Sequence, residues 1–340
     1  MRKKIVNLDQ AISHILSHDL TKIDVESGYK GPRFKKGHVI KEEDISVLRS
    51  MGREHLTVLE LEEDEVHEDD AALALGLAMR GDGLKLRGPN EGRCDLVSEK
   101  KGLLCFDPDK IHFINDDPDW VVVTANPYTV IGPGDLVAGF RILPLAIKKA
   151  QLERAIKISA RFEVKGFNPL KVGLVTTGRE IKAGVIEDAF RPKLEKKVAY
   201  FGGNVVGQNI VGDESEEISA AIRDFLNRGA DIVICTGGMS VDADDNSPRA
   251  ISEVCDEIKF KGIPVLPGSM LMLGLKGEKV IIGAPACVVH DELTSLDLIL
   301  PRIFAGLIPT LEEIRRFGVG GLCRRCKNCT FPNCSFGVKI

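Results

Sequence analysis

Aromatic side chains are scarce: one Trp, three Tyr and fourteen Phe make up 5% of the 340 residues. A protein that stacks bases on aromatic rings needs a richer supply. Large net charge is also missing, since 46 basic residues against 50 acidic ones leave −4. Without a cationic excess to neutralise a phosphate backbone, nucleic acid is not an expected partner. Long apolar runs are absent too; none approaches the roughly 18 residues that a membrane span requires. The opening MRKKIVNLDQ is basic but has no apolar stretch of the kind a secretory signal carries. The expectation is a cytoplasmic chain that does not use a membrane. Hydrophobic residues at 44% and charged residues at 28% fit a globular protein, and the length suggests about two domains.

The nine cysteines do not form a disulfide framework, which would be spread through a small secreted domain. Cys94, Cys105, Cys235, Cys255 and Cys287 are scattered singly, and packing in the core is their expected role. Cys323, Cys326, Cys329 and Cys334 crowd the C-terminal end with spacing C-x2-C-x2-C-x4-C. Four thiolates this close in sequence can wrap one metal centre. The spacing is near that of bacterial iron–sulfur proteins, with one extra residue before the last cysteine. Structural zinc more often uses two separated pairs. An iron–sulfur cluster is the favoured expectation, with zinc second. Arg324, Arg325 and Lys327 between the thiols offset cluster charge or form a solvated basic tail.

Residues 1–150 alternate short segments with Gly and Pro punctuation, as expected of a β-rich α+β domain. A short helix is expected from Leu8 to Leu16, another over KEEDISVLRSMG, and a strand over HLTVLELE. Eight of eleven residues from Glu60 to Asp70 are acidic, which reads as a solvated helix start before AALALGLAMR. LVSEKKGLLCFDP and the stretch from Trp120 to Ile147 read as strands separated by turns. His55, His67 and His112 are isolated, and surface or packing roles are expected for them. Residues 151–170 read as a connector.

From Lys171 the pattern alternates. VGLVTT, NVVGQNIVG, ADIVICTGG and KVIIGAP are apolar runs of the kind that buried parallel strands show. Helices are expected over RPKLEKKVAYFG, EISAAIRDFLNRG, PRAISEVCDEI and VVHDELTSLDLILPRI. The stripe Ile218, Ala221, Ile222, Phe225 and Leu226 supplies one apolar face, and Asp213 to Glu216 has capping-box character. An open, mostly parallel sheet with helices on both faces follows. Its ligand site belongs outside the carboxyl ends of the strands, where TTGRE, CTGGMSVDADD and IGAPA end in Gly and small polar residues. Glycines let backbone N–H groups approach an anion, so a phosphate-bearing ligand is expected there. Asp242, Asp244 and Asp245 follow the glycine turn. Carboxylates beside a phosphate pocket point to Mg²⁺-assisted chemistry. Asp213 either joins that cleft or caps a helix.

Thr236-Gly-Gly-Met-Ser-Val-Asp-Ala-Asp-Asp245 resembles the TGGxSxGxxD signature of the molybdopterin-binding fold. Molybdopterin adenylyltransferase and molybdopterin molybdenumtransferase share that fold. VGLVTTGREI, GVIEDAFRPKL, IVGDESEEI, VLPGSMLMLG and IIGAPA are similar to further family segments in the same order, over about 171–306. The resemblance implies an α/β molybdopterin-binding domain at 171–306 and leaves 307–340 outside it as a cysteine-rich tail. It also implies molybdenum cofactor biosynthesis: molybdopterin or its adenylylated form is bound, and a transferase of the molybdenumtransferase type takes molybdate and releases AMP with Mg²⁺ involved. Asp245 and Asp213 become the catalytic acids. Thr177, Gly178, Thr236, Gly237, Gly238, Ser240 and Asp242 become pterin-phosphate contacts, with Asp188, Pro267, Gly268, Ser269, Gly283 and Pro285 completing the pocket. A homo-oligomer is expected, and a cluster on the tail would dock a molybdoenzyme partner, an expectation that rests on the cysteine spacing alone. Departures are equally specific. Asp242 replaces a family glycine, Phe190 stands where Asn is usual, Ser269 replaces a lysine, and a cysteine tail stands in place of a small β-domain. The missing lysine and Asp242 favour a non-catalytic molybdopterin sensor or carrier; a nucleotide pyrophosphatase like the competence-damage proteins, which share this domain, is a further alternative.

Overall fold

The computed structural model describes residues 1–24, 29–239, 245–331 and 334–337. The chain divides into two units. The first holds residues 1–100, 105–127 and 132–164; the second holds 101–104, 128–131 and 165–340.

The first unit is built from antiparallel strands. Arg2–Asn7 and Ile15–Leu16 flank His55–Glu60, and helix Glu42–Ser50 adds Leu48 to a core with Val6, Leu16, Phe34 and Val58. The expected helix from Leu8 to Leu16 shrinks to one 3-10 turn, Leu8–Gln10, followed by the strand. Ser13 at φ +68° turns the chain out of the helical region there. A second sheet runs Trp120–Thr124, Leu136–Ile142, Arg93–Ser98, Leu84–Asn90, and helix Glu68–Met79 packs across it. That helix opens on three acids, Glu68, Asp69 and Asp70, which favour its positive end. Glu68 is buried rather than solvated, and burial pushes its carboxyl above the usual range. His67 is buried and caps the same helix, its Nδ1 accepting from the Asp69 N–H at 3.3 Å. The helix Pro108–Asn115, which carries His112, lies between the two stretches where strands are expected. Helix Lys149–Ile158 overlaps the expected connector and packs on Glu68–Met79.

The second unit centres on six strands. β1 is Lys171–Thr177, β2 Asn204–Val211, β3 Ile232–Thr236, β4 Glu257–Lys261, β5 Met272–Lys276 and β6 Lys279–Ala284. Their spatial order is β2-β1-β3-β6-β5-β4. The first four are mutually parallel, and β5 and β4 complete the sheet antiparallel, so the expected mostly parallel α/β sheet is present. The β4–β5 hairpin was not legible in the apolar pattern.

Helices α1 Phe190–Tyr200, α2 Ser215–Asn227, α3 Ser247–Val254, α4 Ser295–Phe304 and α5 Leu311–Arg316 follow in chain order. Strand alternation explains how the sheet is covered on both sides. Val172 and Leu174 face α1 and α4 through Leu194, Val198, Ile299 and Phe304. Val175 and Val233 point the opposite way, into Ile218, Ile222 and Phe225 of α2 and Ile251 of α3. A fully buried Leu or Ile contributes about 2 kcal/mol over exposure, so two such cores fix the register of the parallel strands. A one-residue slip would exchange the two sets. Among the described residues no helix is long and apolar enough to cross a membrane.

Candidate functional site

Parallel registry brings the carboxyl ends of three strands level. Thr176 of β1 lies opposite Thr236 of β3, and Thr236 opposite Ala284 of β6. Thr176, Thr177 and Thr236 are buried, and their hydroxyls are used. Thr177 Oγ1 donates to the Thr236 carbonyl at 3.3 Å, and Thr236 Oγ1 to Thr176 Oγ1 at 3.3 Å. These bonds join β1 and β3 at the point where both chains leave the sheet.

The turn after β3 then folds back against β1. Gly237 has φ +87°, and a Cβ there would lie 2.5 Å from Thr177 Oγ1 and 2.6 Å from the Thr177 carbonyl oxygen. Only glycine fits both the backbone angle and the space. Gly238 follows at φ +54°, with Asp245 Oδ1 and Ser247 Oγ on the side where its Cβ would point. Ser247, the first residue of α3, closes the turn: its hydroxyl donates to the Gly237 carbonyl at 2.8 Å and its N–H to the Gly238 carbonyl at 3.3 Å. Ser240 and Asp242 lie outside the described residues.

Asp213 and Asp245 come from adjacent loops. Asn246 Nδ2 donates to the Asp213 carbonyl at 3.0 Å, which ties the loop after β2 to the loop after β3. Asp213 does not cap α2; the capping position is Glu214, with no side-chain bond, and the expected capping box is not formed. The carboxylate that reaches back is Glu217, accepting from the Gly212 N–H at 2.9 Å and from Lys182. Asp213 is free to meet Arg179, whose Nε lies 3.4 Å from Asp213 Oδ2 while Nη2 lies 3.0 Å from Glu214 Oε1. Arg179 directly follows Gly178, so the β1 turn supplies the counter-charge.

Asp188 serves two partners. It accepts the N–H groups of Phe190 at 3.0 Å and Arg191 at 3.3 Å, capping α1, and it accepts from Gln208 Nε2 at 2.6 Å. Gln208 also donates to Thr176 Oγ1 at 2.8 Å. Sequence reasoning missed Gln208, Thr176, Asn246, Ser247 and Arg179. The available signal was a glutamine among the valines and isoleucine of NVVGQNIV, since a half-buried polar group needs partners.

The remaining expected residues divide. Gly283 leaves room for the Met239 side chain, which a Cβ would strike, so it shapes the floor under the glycine turn. Pro285 starts the turn into a 3-10 segment, Ala286–Val288. Pro267, Gly268 and Ser269 are seated on the start of α4: Ser295 N–H donates to the Pro267 carbonyl at 3.0 Å, and Ser295 Oγ to the Gly268 carbonyl at 2.6 Å.

The cysteine tail is docked on the second unit. Residues 266 and 322 form a parallel bridge, with Leu266 N–H to the Gly321 carbonyl and Cys323 N–H to the Leu266 carbonyl, both 2.8 Å. Arg325 Nε lies 2.8 Å from Asp291, and Phe336 is buried in the core. Cys323, Cys326, Cys329 and Cys334 all line one recess of about 260 Å³, together with His290 and Asp291. The expected convergence stops there. Among the described residues no three Cys, His, Asp or Glu side chains stand close enough to hold one metal ion. Cys323 is held by its bridge and Cys334 packs beside Phe336, whereas Cys326 and Cys329 are exposed. Of the scattered cysteines, Cys94, Cys105 and Cys235 are buried and Cys255 and Cys287 half-buried. Burial pushes the Cys94 and Cys255 thiols up to about 11 and that of Cys235 higher still.

Residues 173–305 match the family described as "Probable molybdopterin binding domain", and residues 5–60 match a domain of unknown function (DUF8806). A molybdopterin molybdenumtransferase of Synechococcus elongatus is 24% identical over 180 residues, 50% of this chain and 43% of that protein. A CinA-like protein of Mycobacterium avium is 28% identical over 85 residues, 25% of this chain and 20% of that one. The matches thus span less than half the length of either relative. Among solved structures, the molybdopterin biosynthesis enzyme MoaB from Thermus thermophilus is 23% identical, covering 39% of this chain and 90% of its own, with a TM-score of 0.34. A tungsten cofactor synthesizing MoaB from Pyrococcus furiosus is 19% identical over 44% of this chain and 98% of its own, with a TM-score of 0.33. The family match falls on the six-stranded unit and contains the β1 turn, the glycine turn, Asp188, Asp213 and Asp245. Residues 173–305 are a domain of the molybdopterin-binding family.

Proposed function

We propose that the second unit binds molybdopterin or its adenylylated form at the carboxyl ends of β1 and β3, in molybdenum cofactor biosynthesis. The observation that carries this reading is the single rim formed by three segments. Gly237 packs on Thr177, Asn246 holds the Asp213 loop, and Gln208 holds Asp188. The ligand phosphate would meet the Thr177–Gly178 and Gly237–Gly238 turns, where glycine leaves backbone N–H groups approachable. Arg179 offsets the charge of Asp213 and lets a phosphate enter beside a carboxylate. Asp245 faces the glycine turn from the other loop. Mg²⁺ fits this donor set, because it binds through one or two carboxylates plus substrate phosphates. Asp245 and Asp213 would hold it, and it would neutralise phosphate charge. Asp213 and Asp245 would serve phosphoanhydride cleavage: an oxygen of water attacks the pterin phosphorus, the P–O bond to AMP breaks as the new P–O bond forms, AMP leaves, and molybdate is the co-substrate taken up by the dithiolene.

A carrier reading is favoured by Ser269. Its carbonyl accepts from the Ile263 N–H at 2.8 Å, and no ammonium stands at that position to meet molybdate. The test is AMP release from adenylylated molybdopterin, with Asp245→Ala as control. Turnover that D245A abolishes supports the transferase, and tight pterin binding without turnover supports the carrier. Hydrolysis of ADP-ribose without action on the pterin would support the pyrophosphatase reading instead. The likeness of 85 residues to a CinA-like protein motivates that arm.

For the tail we propose a thiolate-held centre at Cys323, Cys326, Cys329 and Cys334, an iron–sulfur cluster ahead of zinc. Iron, sulfide and zinc analysis of anaerobically purified protein decides between them. Protein with none of the three would overturn the assignment.

A further inference from the structure

The flank of the second unit carries a groove of about 530 Å³ between α1 and α4, within the range of small-molecule sites. Its α1 wall is two adjacent helical rows, Pro192–Lys196–Tyr200 and Lys193–Lys197, each spaced i, i+4. The α4 wall is Asp297 and Pro301, and Leu293 and Phe331 close the sides.

The groove's charges are not equivalent. Lys197 is committed: its ammonium bonds to Asp297 and, at 3.1 Å, to the Glu292 carbonyl. Asp297 is committed as well, since it accepts the Thr294 N–H at 2.8 Å as the cap of α4. Lys193 and Lys196 line the groove with no hydrogen-bond or ion-pair partner among the described residues. Among the described residues Glu292 is the one other carboxylate on the wall, so the two lysines leave a net positive mouth. The aromatic surfaces are held in place. Lys101 Nζ sits 3.9 Å from the Tyr200 ring centroid and bonds to the Tyr200 carbonyl at 2.6 Å. Phe201 stacks on Phe304 at 5.2 Å, and Phe331 meets the core residue Phe336 edge-on at 6.2 Å.

We propose that this groove is a second ligand site, for an aromatic ring carrying a phosphate, separate from the strand-end site. The ring lies against Tyr200, Phe201 and Phe331, and the phosphate meets Lys193 and Lys196. Lysine ammonium groups suit a compact anion as point charges, and preset aromatic faces suit a flat ring. The ring wall depends on the tail, because Phe331 lies between Cys329 and Cys334 in the chain.

The probe is 1-naphthyl phosphate, titrated into the full chain by calorimetry, with inorganic phosphate and 1-naphthol as the separated halves. The expected result is binding of 1-naphthyl phosphate tighter than either half. K193A/K196A should weaken it about tenfold and Y200A severalfold. The substituted lysines and Tyr200 are not core residues, and circular dichroism checks that each variant is folded. Equal binding by wild type and K193A/K196A would overturn the proposal. So would no binding of the probe at millimolar concentration.

Discussion

Replacing Gly237 by alanine should damage the second unit far more than the same change one residue later. At Gly237 the new methyl group meets two oxygens of Thr177, at 2.5 and 2.6 Å, and the backbone must stay at φ +87°. The left-handed conformation costs an L-residue about 1–2 kcal/mol. Forcing a carbon into occupied space adds about 1–3 kcal/mol, because one neighbour is a backbone carbonyl whose strand cannot retreat. The sum is about 2–5 kcal/mol. At Gly238 the nearest atom is the rotatable Ser247 hydroxyl at 3.0 Å, with φ +54°, the ordinary left-handed value. That change should cost about 1–2 kcal/mol, and Gly238→Asn less, since Asn tolerates this region. For a unit of this size about 1 kcal/mol moves the midpoint by roughly 2–4 °C. Calorimetry should therefore show the second unit's transition falling by roughly 5–15 °C in G237A and by a few degrees in G238A. Equal shifts in the two variants would refute the claim that the β3 turn is packed on Thr177. A shift in G237A below that of G238A would do the same.

The sheet was legible because burial on both faces leaves an unmistakable residue pattern. VGLVTT and DIVIC place Val172, Leu174, Ile232 and Ile234 on one face and Val175 and Val233 on the other. Glycine turns at strand ends were legible for a similar reason, since few residues other than glycine adopt those angles. What escaped was local or pairwise. The helix Pro108–Asn115 buries only Ile111 and Ile114 and has too short an apolar stripe to betray its period. Ser13 ends a helical turn through one backbone angle. In the site, the acids could be named but not their partners. Asp213 could cap or line the cleft; its pairing with Arg179 follows from where the β1 turn and the β2 loop meet, a property of the assembled sheet. The cysteine spacing announced four thiols in one place. It could not say that two would be anchored by Leu266 and Phe336 while two stay exposed.

Other consequences can be measured directly. Burial raises Glu313, but the Thr310 N–H, Arg302 and Tyr128 outweigh it and hold its carboxyl at about 2 against an ordinary 4.5. A depressed carboxylate contributes stability above its unfolded value and loses it as pH falls toward the folded one. Wild type should exceed E313Q by up to about 3 kcal/mol near neutrality, with the gap closing between pH 4.5 and 2; a gap that persists at pH 2 would contradict this origin. Ellman's reagent at pH 8 should reach Cys326 and Cys329 first in metal-free protein, and Cys94 and Cys235 only after unfolding; rapid labelling of Cys235 in folded protein would contradict its burial. Gln208→Leu removes the donor to Asp188 and Thr176 and should cost about 1–3 kcal/mol, read by denaturant titration, with no loss pointing to solvent replacing both bonds. Arg179 carries the last test, because it decides the sign of the charge beside the glycine turns. Two unit charges about 4 Å apart near a protein surface interact by about 4 kcal/mol at an effective dielectric of 20. Arg179 is mostly exposed, which reduces what the pairing contributes. R179A should therefore weaken binding of a phosphate-bearing pterin by about tenfold rather than abolish it. If the loss comes from uncovering Asp213, R179A/D213N should recover most of the affinity, whereas D213N alone should change it little. A double variant as weak as R179A would show that Arg179 meets the phosphate directly, and the paired carboxylate would then have no part in admitting the anion.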